Sequence, residues 1–420
     1  MIEWNLASLG FVGIYLFQLA FAIEIELLNR RRLRESGNAV PDCMKAFIDE
    51  QKLASISAYS IDRSRIFLIQ KISGDLILLV IVLSGLLTWI NGFFASLNFL
   101  LAGLGFFLLL GSVSFLLELP FDYYDTFVLE EKYGFNRSDF RTWITDNLKA
   151  SVVSAILLVI TLAPLLWTIH VSPHHWWLLG FLLVALIQFL LVVLYPLVIA
   201  PLFNKFEPLH DRELAQKVER LVQETGMRTE GIFQMDAGKR SGHSNAYFTG
   251  FGKSKRIVLF DTLIGSHTHD EILAVLAHEL GHFKLRHVAK TYMIGLAAML
   301  AGFYFTYLLL NWPPLDRTFN FDPGQYHVAL FLVSVFWRKL AFFLRPLAAW
   351  VSRRFERSAD EFAADLLGNP QPLTTALKKL ASYNLSNLNP HPFYVWFYYS
   401  HPPLRQRLEH LESTPGIATR

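Results

Sequence analysis

The stretch LILLVIVLSGLLTWINGFFASLNFLLAGLGFFLLLGSVSFLL (Leu76–Leu117) contains no Asp, Glu, Lys or Arg. As one α-helix it would be roughly 63 Å long, about twice the thickness of a bilayer's hydrocarbon core. The pair Asn91-Gly92 near its middle is a common turn sequence. We therefore predict two membrane-spanning helices that are joined by a short hairpin at Asn91-Gly92.

Other apolar stretches extend this pattern along the chain. Ala150–Ala200 predicts two further spans around the polar break His170–His175, Leu6–Ile23 predicts an earlier span, and Thr291–Trp312 a later one. Only 17% of the residues are charged, whereas soluble domains carry about 25%. The net charge of +3, without a basic and aromatic stripe, argues against binding of nucleic acid. We predict a mainly α-helical, polytopic membrane protein.

The basic residues are concentrated in two of the loops. The turns near Asn91 and His174 contain none, and Pro313–His327 contains only Arg317. The positive-inside rule therefore places the N-terminus outside and the first, third and fifth loops in the cytoplasm. The basic residues of the first and third loops are Arg30, Arg31, Arg32, Arg34, Lys45, Lys52, Arg63, Arg65, Lys132, Arg137, Arg141 and Lys149.

A second decisive stretch is DEILAVLAHELGHFKLRH (Asp270–His287), whose apolar residues recur at helical spacing. On such a helix His278 and His282 point the same way, one turn apart, so that both imidazoles can bind one Zn²⁺. Glu279 lies beside them, where it can accept a proton from the attacking water, and Gly281 leaves room against the metal side. The alternative is a pair of surface histidines without a metal, but the amphipathic helix favours a zinc site.

A catalytic zinc needs a third protein ligand. The segment SRRFERSADEFAADLLG (Ser352–Gly368) is a second amphipathic helix, in which Glu356 could bind the metal while Asp360 accepts the free N–H of a ligand histidine. Glu361 and Asp365 have the same spacing and form a rival pair.

The ligand assignment also decides the number of spans. Tyr326–Leu344 is interrupted by Arg338 and Lys339, so it is either a seventh span that faces a wet interior or a surface helix. A carboxylate after residue 352 reaches His282 only if the chain crosses the bilayer an even number of times after Thr291. We therefore predict seven spans.

Several segments together resemble the type I CAAX prenyl proteases, which are zinc metallopeptidases of the gluzincin kind. In chain order they are LPFDYYDTFVLEEKYGFN (Leu119–Asn136), IAPLFNKFEPL (Ile199–Leu209), KRSGHSNAYFTGFGKSKRIVLFDTL (Lys239–Leu263), HELGH, SRRFERSAD and YSHPPLRQRL (Tyr399–Leu408). The resemblance implies seven helices around a water-filled chamber, closed toward the cytoplasm by the zinc domain.

The same resemblance assigns roles to individual residues. It selects Glu356 as the third ligand and Asp360 as the support of a ligand histidine. It also gives Asn245 the substrate backbone, His401 the tetrahedral oxyanion and Arg407 the support of that region. Where the family often has an aromatic residue, this chain has Arg357-Ser358, which we expect to affect packing only. The remaining histidines near the motif are expected at the surface: His243, His267, His269 and His287.

The chain divides into a five-span region, 1–203, and a zinc metallopeptidase domain, 204–420, which includes the spans at about 291–312 and 326–344. The alternating residues between Gly231 and Phe260 predict a small sheet or hairpin beside the zinc helix. We expect Lys255–Phe260 to be an edge strand onto which a substrate could add.

The expected function is that of a zinc metalloendopeptidase with one Zn²⁺ per chain. It would cut membrane-presented substrates of the prenylated CAAX type near their C-terminus, or serve the quality control of membrane proteins. Length and compact loops favour a bacterial inner membrane over the endoplasmic reticulum, with the active site facing the cytoplasm. The expected partners are a peptide or protein substrate and the bilayer.

Three alternatives make different predictions. A site-two-type protease would carry HExxH inside a span, a channel would bind no zinc, and an inactive scaffold would have a damaged catalytic set.

Overall fold

The computed structural model describes residues 2–36, 40–249 and 255–413, and this part of the chain is almost entirely helical. One four-stranded sheet interrupts the helices. The helices are α1 Leu6–Ser36, α2 Glu50–Leu83, α3 Leu86–Gly92, α4 Phe99–Tyr124, α5 Phe140–Val171, α6 Trp176–Leu194, α7 Arg212–Glu224, α8 Asp261–Ser266, α9 His269–Lys284, α10 His287–Leu310, α11 Pro314–Phe319, α12 Tyr326–Leu367, α13 Gln371–Tyr383, α14 Pro392–Tyr398 and α15 Leu404–Ser413; the strands are β1 Phe206–Pro208, β2 Gly231–Met235, β3 Ala246–Thr249 and β4 Arg256–Phe260.

Within the described residues, 7 helices are long and apolar enough to cross a membrane, which confirms the predicted number of spans. They are Leu6–Glu35, Glu50–Leu83, Phe99–Glu130, Phe140–Val171, Trp176–Leu202, His287–Leu310 and Tyr326–Leu367. The division of the chain at residue 203 stays a prediction.

The hairpin predicted at Asn91-Gly92 is wrong in detail. The second span ends at Leu83, where Gly85 adopts a left-handed φ of 83°, and the short helix α3 follows. The third span begins only at Phe99, because the Asn98 side chain accepts hydrogen bonds from the first backbone N–H groups of α4. Asn91 itself is buried and its Oδ1 lies 2.6 Å from Nε2 of His327. The connection is therefore a folded segment and not a two-residue turn.

The seventh span and the helix predicted at Ser352–Gly368 are one continuous helix, α12, which ends where Gly368 adopts a left-handed φ of 64°. The interrupting charges have different surroundings. Lys339 is buried with its Nζ 2.9 Å from Asp75 of α2, whereas the Arg338 side chain is 60% exposed. The same helix thus crosses the membrane region and carries the candidate ligand Glu356.

The sheet has the strand order β1-β2-β4-β3, with β2 and β4 parallel and the outer pairs antiparallel. The prediction of an edge strand at Lys255–Phe260 is wrong, since β4 has a partner on each side. Among the strands that the structure describes, β1 and β3 are the outermost. Ile257 and Leu259 of β4 are buried in one apolar cluster with Ile272 and Leu276 of α9. The sheet thus forms one wall against which α9 is held.

Candidate metal centre

Helix α9 is fixed at both its start and its buried face. The Thr268 side chain accepts from the N–H of Glu271, and the Glu271 carboxylate accepts from the N–H of Thr268, which forms a capping box. Lys379 of α13 lies 2.8 Å from the same carboxylate. Because Leu276 and Leu280 are fully buried, the helix cannot rotate freely about its axis, and its histidine-bearing face is directed at α12.

Three side chains meet between α9 and α12, and we call them the metal group: His278, His282 and Glu356. One potential ligand atom from each lies within 4.8 Å of the others. The Nε2 atoms of the two histidines are 3.2 Å apart, and each lies 3.3 Å from a carboxylate oxygen of Glu356. Oε2 of Glu356 is buried and has no hydrogen-bond partner within the described residues. A cation is the natural partner of such an oxygen.

These donors fit a metal ion. Two imidazole nitrogens and one carboxylate oxygen form a ligand set of catalytic zinc sites, which keep their fourth position for water. His278 is deeply buried, which disfavours its charged form, but the hydrogen bond to Asp360 and the nearby negative charge of Glu356 outweigh this and raise its pKa to about 9. The same surroundings favour a bound cation.

Asp360 and Arg407 form the layer behind the ligands. Oδ1 of Asp360 lies 2.8 Å from Nδ1 of His278, the nitrogen that points away from the metal group. Arg407 donates two hydrogen bonds to the Asp360 carboxylate, of 2.6 and 2.9 Å. This fork fixes the carboxylate, and the carboxylate in turn fixes the ring orientation of His278.

The rival carboxylates lie elsewhere on α12. Glu361 and Asp365 are exposed, and Oε1 of Glu361 is 2.9 Å from Nε2 of His410. The structure thus brings Glu356 and Asp360, and not the rival pair, to the two histidines.

Glu279 and His401 border the same group. Burial raises the pKa of the Glu279 carboxyl above its ordinary value, against the opposing effect of the neighbouring histidines. His401 is largely exposed, and its Nε2 lies 3.3 Å from Oε1 of Glu356. An exposed N–H donor next to three ligand atoms can meet a reacting oxygen from the solvent side.

Asn245 directly precedes the edge strand β3, and its hydrogen bonds within the described residues are to the sheet and not to this cluster. It is exposed, and its side-chain oxygen accepts from the N–H of Ala246. Strand β3 leads toward the metal helix, since Phe248 contacts Phe283 of α9 with ring centroids 5.5 Å apart.

Two of the predicted surface histidines are buried. His287 is 3% exposed and His267 is 7% exposed. His287 was missed as a site residue because it lies five positions after His282, off the ligand face of a continuous helix. The chain instead turns at Arg286, which has a left-handed φ of 57°, and α10 begins with His287 folded back against His282. Ser358, expected to affect packing only, contacts His287.

The chain is similar to known proteins over most of its length. Residues 29–205 match the family described as CAAX prenyl protease N-terminal, five membrane helices, and residues 208–415 match Peptidase family M48. The CAAX prenyl protease 1 homolog of Arabidopsis thaliana is 33% identical, with 96% of each chain covered. CAAX prenyl protease 1 of Saccharomyces cerevisiae is 37% identical over 72% of this chain and 70% of its own.

A crystal structure of S. mikatae Ste24p matches with a TM-score of 0.90 at 30% identity, covering 97% of this chain and 99% of that one. Neither a channel nor an inactive scaffold is favoured by these relatives. A site-two-type protease would carry HExxH inside a membrane span. Among the described residues, α9, which carries this motif, is not one of the candidate spans. This chain therefore belongs to the CAAX prenyl protease family and is a multi-pass membrane metallopeptidase.

Proposed function

We propose that this protein is a zinc endopeptidase with one Zn²⁺ per chain, held by His278, His282 and Glu356. The observation that carries the proposal is the convergence of two imidazole nitrogens and a buried carboxylate within 4.8 Å. The carboxylate includes an oxygen without a hydrogen-bond partner in the described residues. When bound, zinc supplies a Lewis acid that lowers the pKa of a water molecule toward ~7.

The neighbouring side chains would carry the proton and charge transfers. Glu279 accepts the proton of the attacking water and later delivers it to the leaving amine. His401 donates to the oxyanion of the tetrahedral species, a contribution of roughly 3 kcal/mol in comparable sites. Arg407 acts indirectly, by holding Asp360 and hence His278.

The substrate backbone would pair with the sheet at β3. This strand has β4 on one side and is the outermost strand of the sheet, so an extended peptide can add to its other side. Asn245 lies at the beginning of this edge, where its side-chain amide can bind a peptide group. We therefore propose that the substrate strand pairs with β3 and does not lie beside Lys255–Phe260.

Presentation of the substrate in the membrane would explain why this peptidase has membrane spans. In the spans Trp176–Leu202 and His287–Leu310, 0% of the residues in the 18-residue apolar stretch are buried within the protein. Such exposure suits helices that line a chamber and face lipid. A substrate tethered in the bilayer gains local concentration without further contacts. The relatives are named CAAX prenyl proteases, and we propose prenylated C-terminal peptides as substrates here, with the site facing the cytoplasm. In a membrane without prenylated proteins, misfolded membrane proteins would take their place.

One experiment tests both the chemistry and the presentation. A CAAX-type peptide with and without a farnesyl group is incubated with the protein in liposomes, and a Glu279→Gln variant serves as control. We expect the farnesylated peptide to have the higher kcat/KM, and the variant to retain zinc while its turnover falls by several orders of magnitude. Equal kcat/KM for both peptides would refute membrane presentation, and near-normal turnover by the variant would refute the mechanism.

A further inference from the structure

The two ligand histidines are held by chemically different groups. Nδ1 of His278 contacts the Asp360 carboxylate, whereas Nδ1 of His282 lies 3.2 Å from Nδ1 of His287. His287 is 3% exposed. Its other nitrogen, Nε2, lies 3.3 Å from Oγ of Ser358 on α12. A chain of polar contacts thus runs from the metal group through a second histidine to a serine.

Only one arrangement of protons satisfies this chain when His282 binds a metal through Nε2. Nδ1 of His282 then carries the proton and donates to Nδ1 of His287, which must be the unprotonated nitrogen. Nε2 of His287 therefore carries a proton and donates to Oγ of Ser358. The Ser358 hydroxyl is left free to donate to the main-chain oxygen of Phe355 or Arg354, at 3.0 and 3.2 Å. Each donor has one acceptor.

We propose that His287, held by Ser358, is a positioning residue that fixes the tautomer and ring orientation of His282 for the metal. The inference rests on the proposed zinc site. In this arrangement His287 is a neutral acceptor, while Asp360 is a charged one. The two ligand histidines therefore differ in basicity because their acceptors differ in charge. Ser358 thereby affects ligation as well as packing.

The surrounding structure holds the His287 ring in the required plane. Phe355 stacks on it with ring centroids 4.3 Å apart and an angle of 10° between the planes. The left-handed backbone of Arg286 brings the ring back toward α9. A residue that only filled space would need neither the matched acceptor nor the serine behind it.

The test compares substitutions that keep and remove the acceptor. His287→Phe keeps a ring that can stack on Phe355 but accepts no hydrogen bond. His287→Asn places an oxygen near the position of Nδ1. Zinc affinity is measured by chelator competition, and the ligand field by the visible absorption of the Co²⁺-loaded protein. We expect His287→Phe to weaken zinc binding by about 10–100-fold and to shift the Co²⁺ spectrum, and His287→Asn to restore most of both.

Ser358 supplies an independent arm. Ser358→Ala is expected to weaken zinc binding by less than His287→Phe, Ser358→Thr to restore it, and the double variant His287→Phe/Ser358→Ala to bind no more weakly than His287→Phe alone. Should His287→Phe fail to fold, the comparison of Ser358→Ala with Ser358→Thr alone tests the proposed role of His287. Wild-type affinity in Ser358→Ala and His287→Phe, or additive losses in the double variant, would overturn the relay. Absence of zinc binding by the wild-type protein would instead overturn the proposed function.

Discussion

At the scale of single residues, we assign different roles to Glu356 and Asp360, although both lie next to His278. Glu356 has an oxygen without a hydrogen-bond partner among the described residues, which we propose binds the metal, while Asp360 already contacts His278 and Arg407. We expect Glu356→Ala to lose most bound zinc and Asp360→Ala to weaken affinity by roughly 10–100-fold.

Metal analysis across a chelator titration checks this order. Glu361→Ala is the matched control, since that carboxylate is exposed on the same helix and contacts His410. It should bind zinc like the wild-type protein. Equal retention in the Glu356 and Asp360 variants would contradict the assignment.

The spacing of residues accounts for how much of the site was predictable. His278 and His282 share a helix face because they are four apart, and this holds for any straight helix. The choice between Glu356 and Glu361 needed either the resemblance or the structure, because both lie on α12 and only its rotation against α9 separates them. His287 was unpredictable, since its approach to His282 depends on one left-handed residue, Arg286.

At the scale of elements, the close contact between α9 and α12 sets the distances within the metal group. A Cβ on Gly281 would lie 3.1 Å from Cα of Ala359, nearer than ordinary contact. We expect Gly281→Ala to separate the helices and weaken zinc binding by about tenfold, although no ligand is touched. Gly295→Ala is the control, because its Cβ would meet nothing within 4 Å. Chelator competition on both variants measures the effect, and wild-type affinity in Gly281→Ala would contradict it.

A second element, α14, leads directly into His401. Nη1 of Arg353 donates to the backbone oxygens of Val395 and Tyr399, at 3.2 and 2.7 Å, and so ties the end of α14 to α12. We expect Arg353→Met to lower kcat by about tenfold, with zinc content unchanged, because His401 loses its fixed position.

His401→Ala should lower kcat by about 100-fold, the usual effect of removing an oxyanion donor. Adding Arg353→Met to that variant should have no further effect, because the arginine acts through the histidine. The neighbouring Arg354→Met is the control, since the Arg354 guanidinium lies over the Trp350 ring, 4.1 Å from its centroid. Steady-state kinetics of the four variants would reject this link if the two losses multiply.

The elements that sequence predicted least well are those whose ends depend on other parts of the fold. Gly85 and Asn98 determine where the second and third spans stop and start, and neither lies at the Asn91-Gly92 pair. Strand β4 was taken for an edge because its pairing with β2 joins two segments that are separated along the sequence. Nonlocal pairing leaves no periodic signal in either segment.

At the scale of the whole molecule, a cluster of charges inside the membrane region joins α1, α2 and α12. Asp75 of α2 lies 2.9 Å from Lys339 and 3.1 Å from Lys71. Lys339 also donates to Gln18 of α1, at 3.0 Å. Helix α12, which carries Glu356, is thereby fixed against the first two spans.

Removing the carboxylate would leave the buried Lys339 and the partly buried Lys71 without this counter-charge. We expect Asp75→Asn to lower the free energy of unfolding by about 3–5 kcal/mol, the usual loss when one partner of a buried ion pair is removed. Asp75→Asn/Lys339→Met should recover much of it. Asp62→Asn, on the same helix but paired with the exposed Lys132, should cost about 0–1 kcal/mol. Unfolding in detergent measures all three, and a loss in Asp75→Asn no larger than in Asp62→Asn would contradict the role of the cluster.

The number of spans was predictable because bilayer thickness imposes a minimum length on every apolar segment. Their full lengths were not, since α12 continues beyond the apolar residues to carry Glu356 outside the predicted span. Lys339 was expected to face a wet interior, but it pairs with Asp75. Asp75 is too distant in sequence to be identified as its partner without the fold.

We propose that His278, His282 and Glu356 hold the zinc of this membrane peptidase. Anomalous diffraction from crystals of the purified protein, recorded on both sides of the zinc absorption edge, tests it most directly. We predict one strong peak, present only above the edge, within bonding distance of Nε2 of His278, Nε2 of His282 and the Glu356 carboxylate. A peak at other residues, a peak that persists below the edge, or none at all would contradict this zinc site.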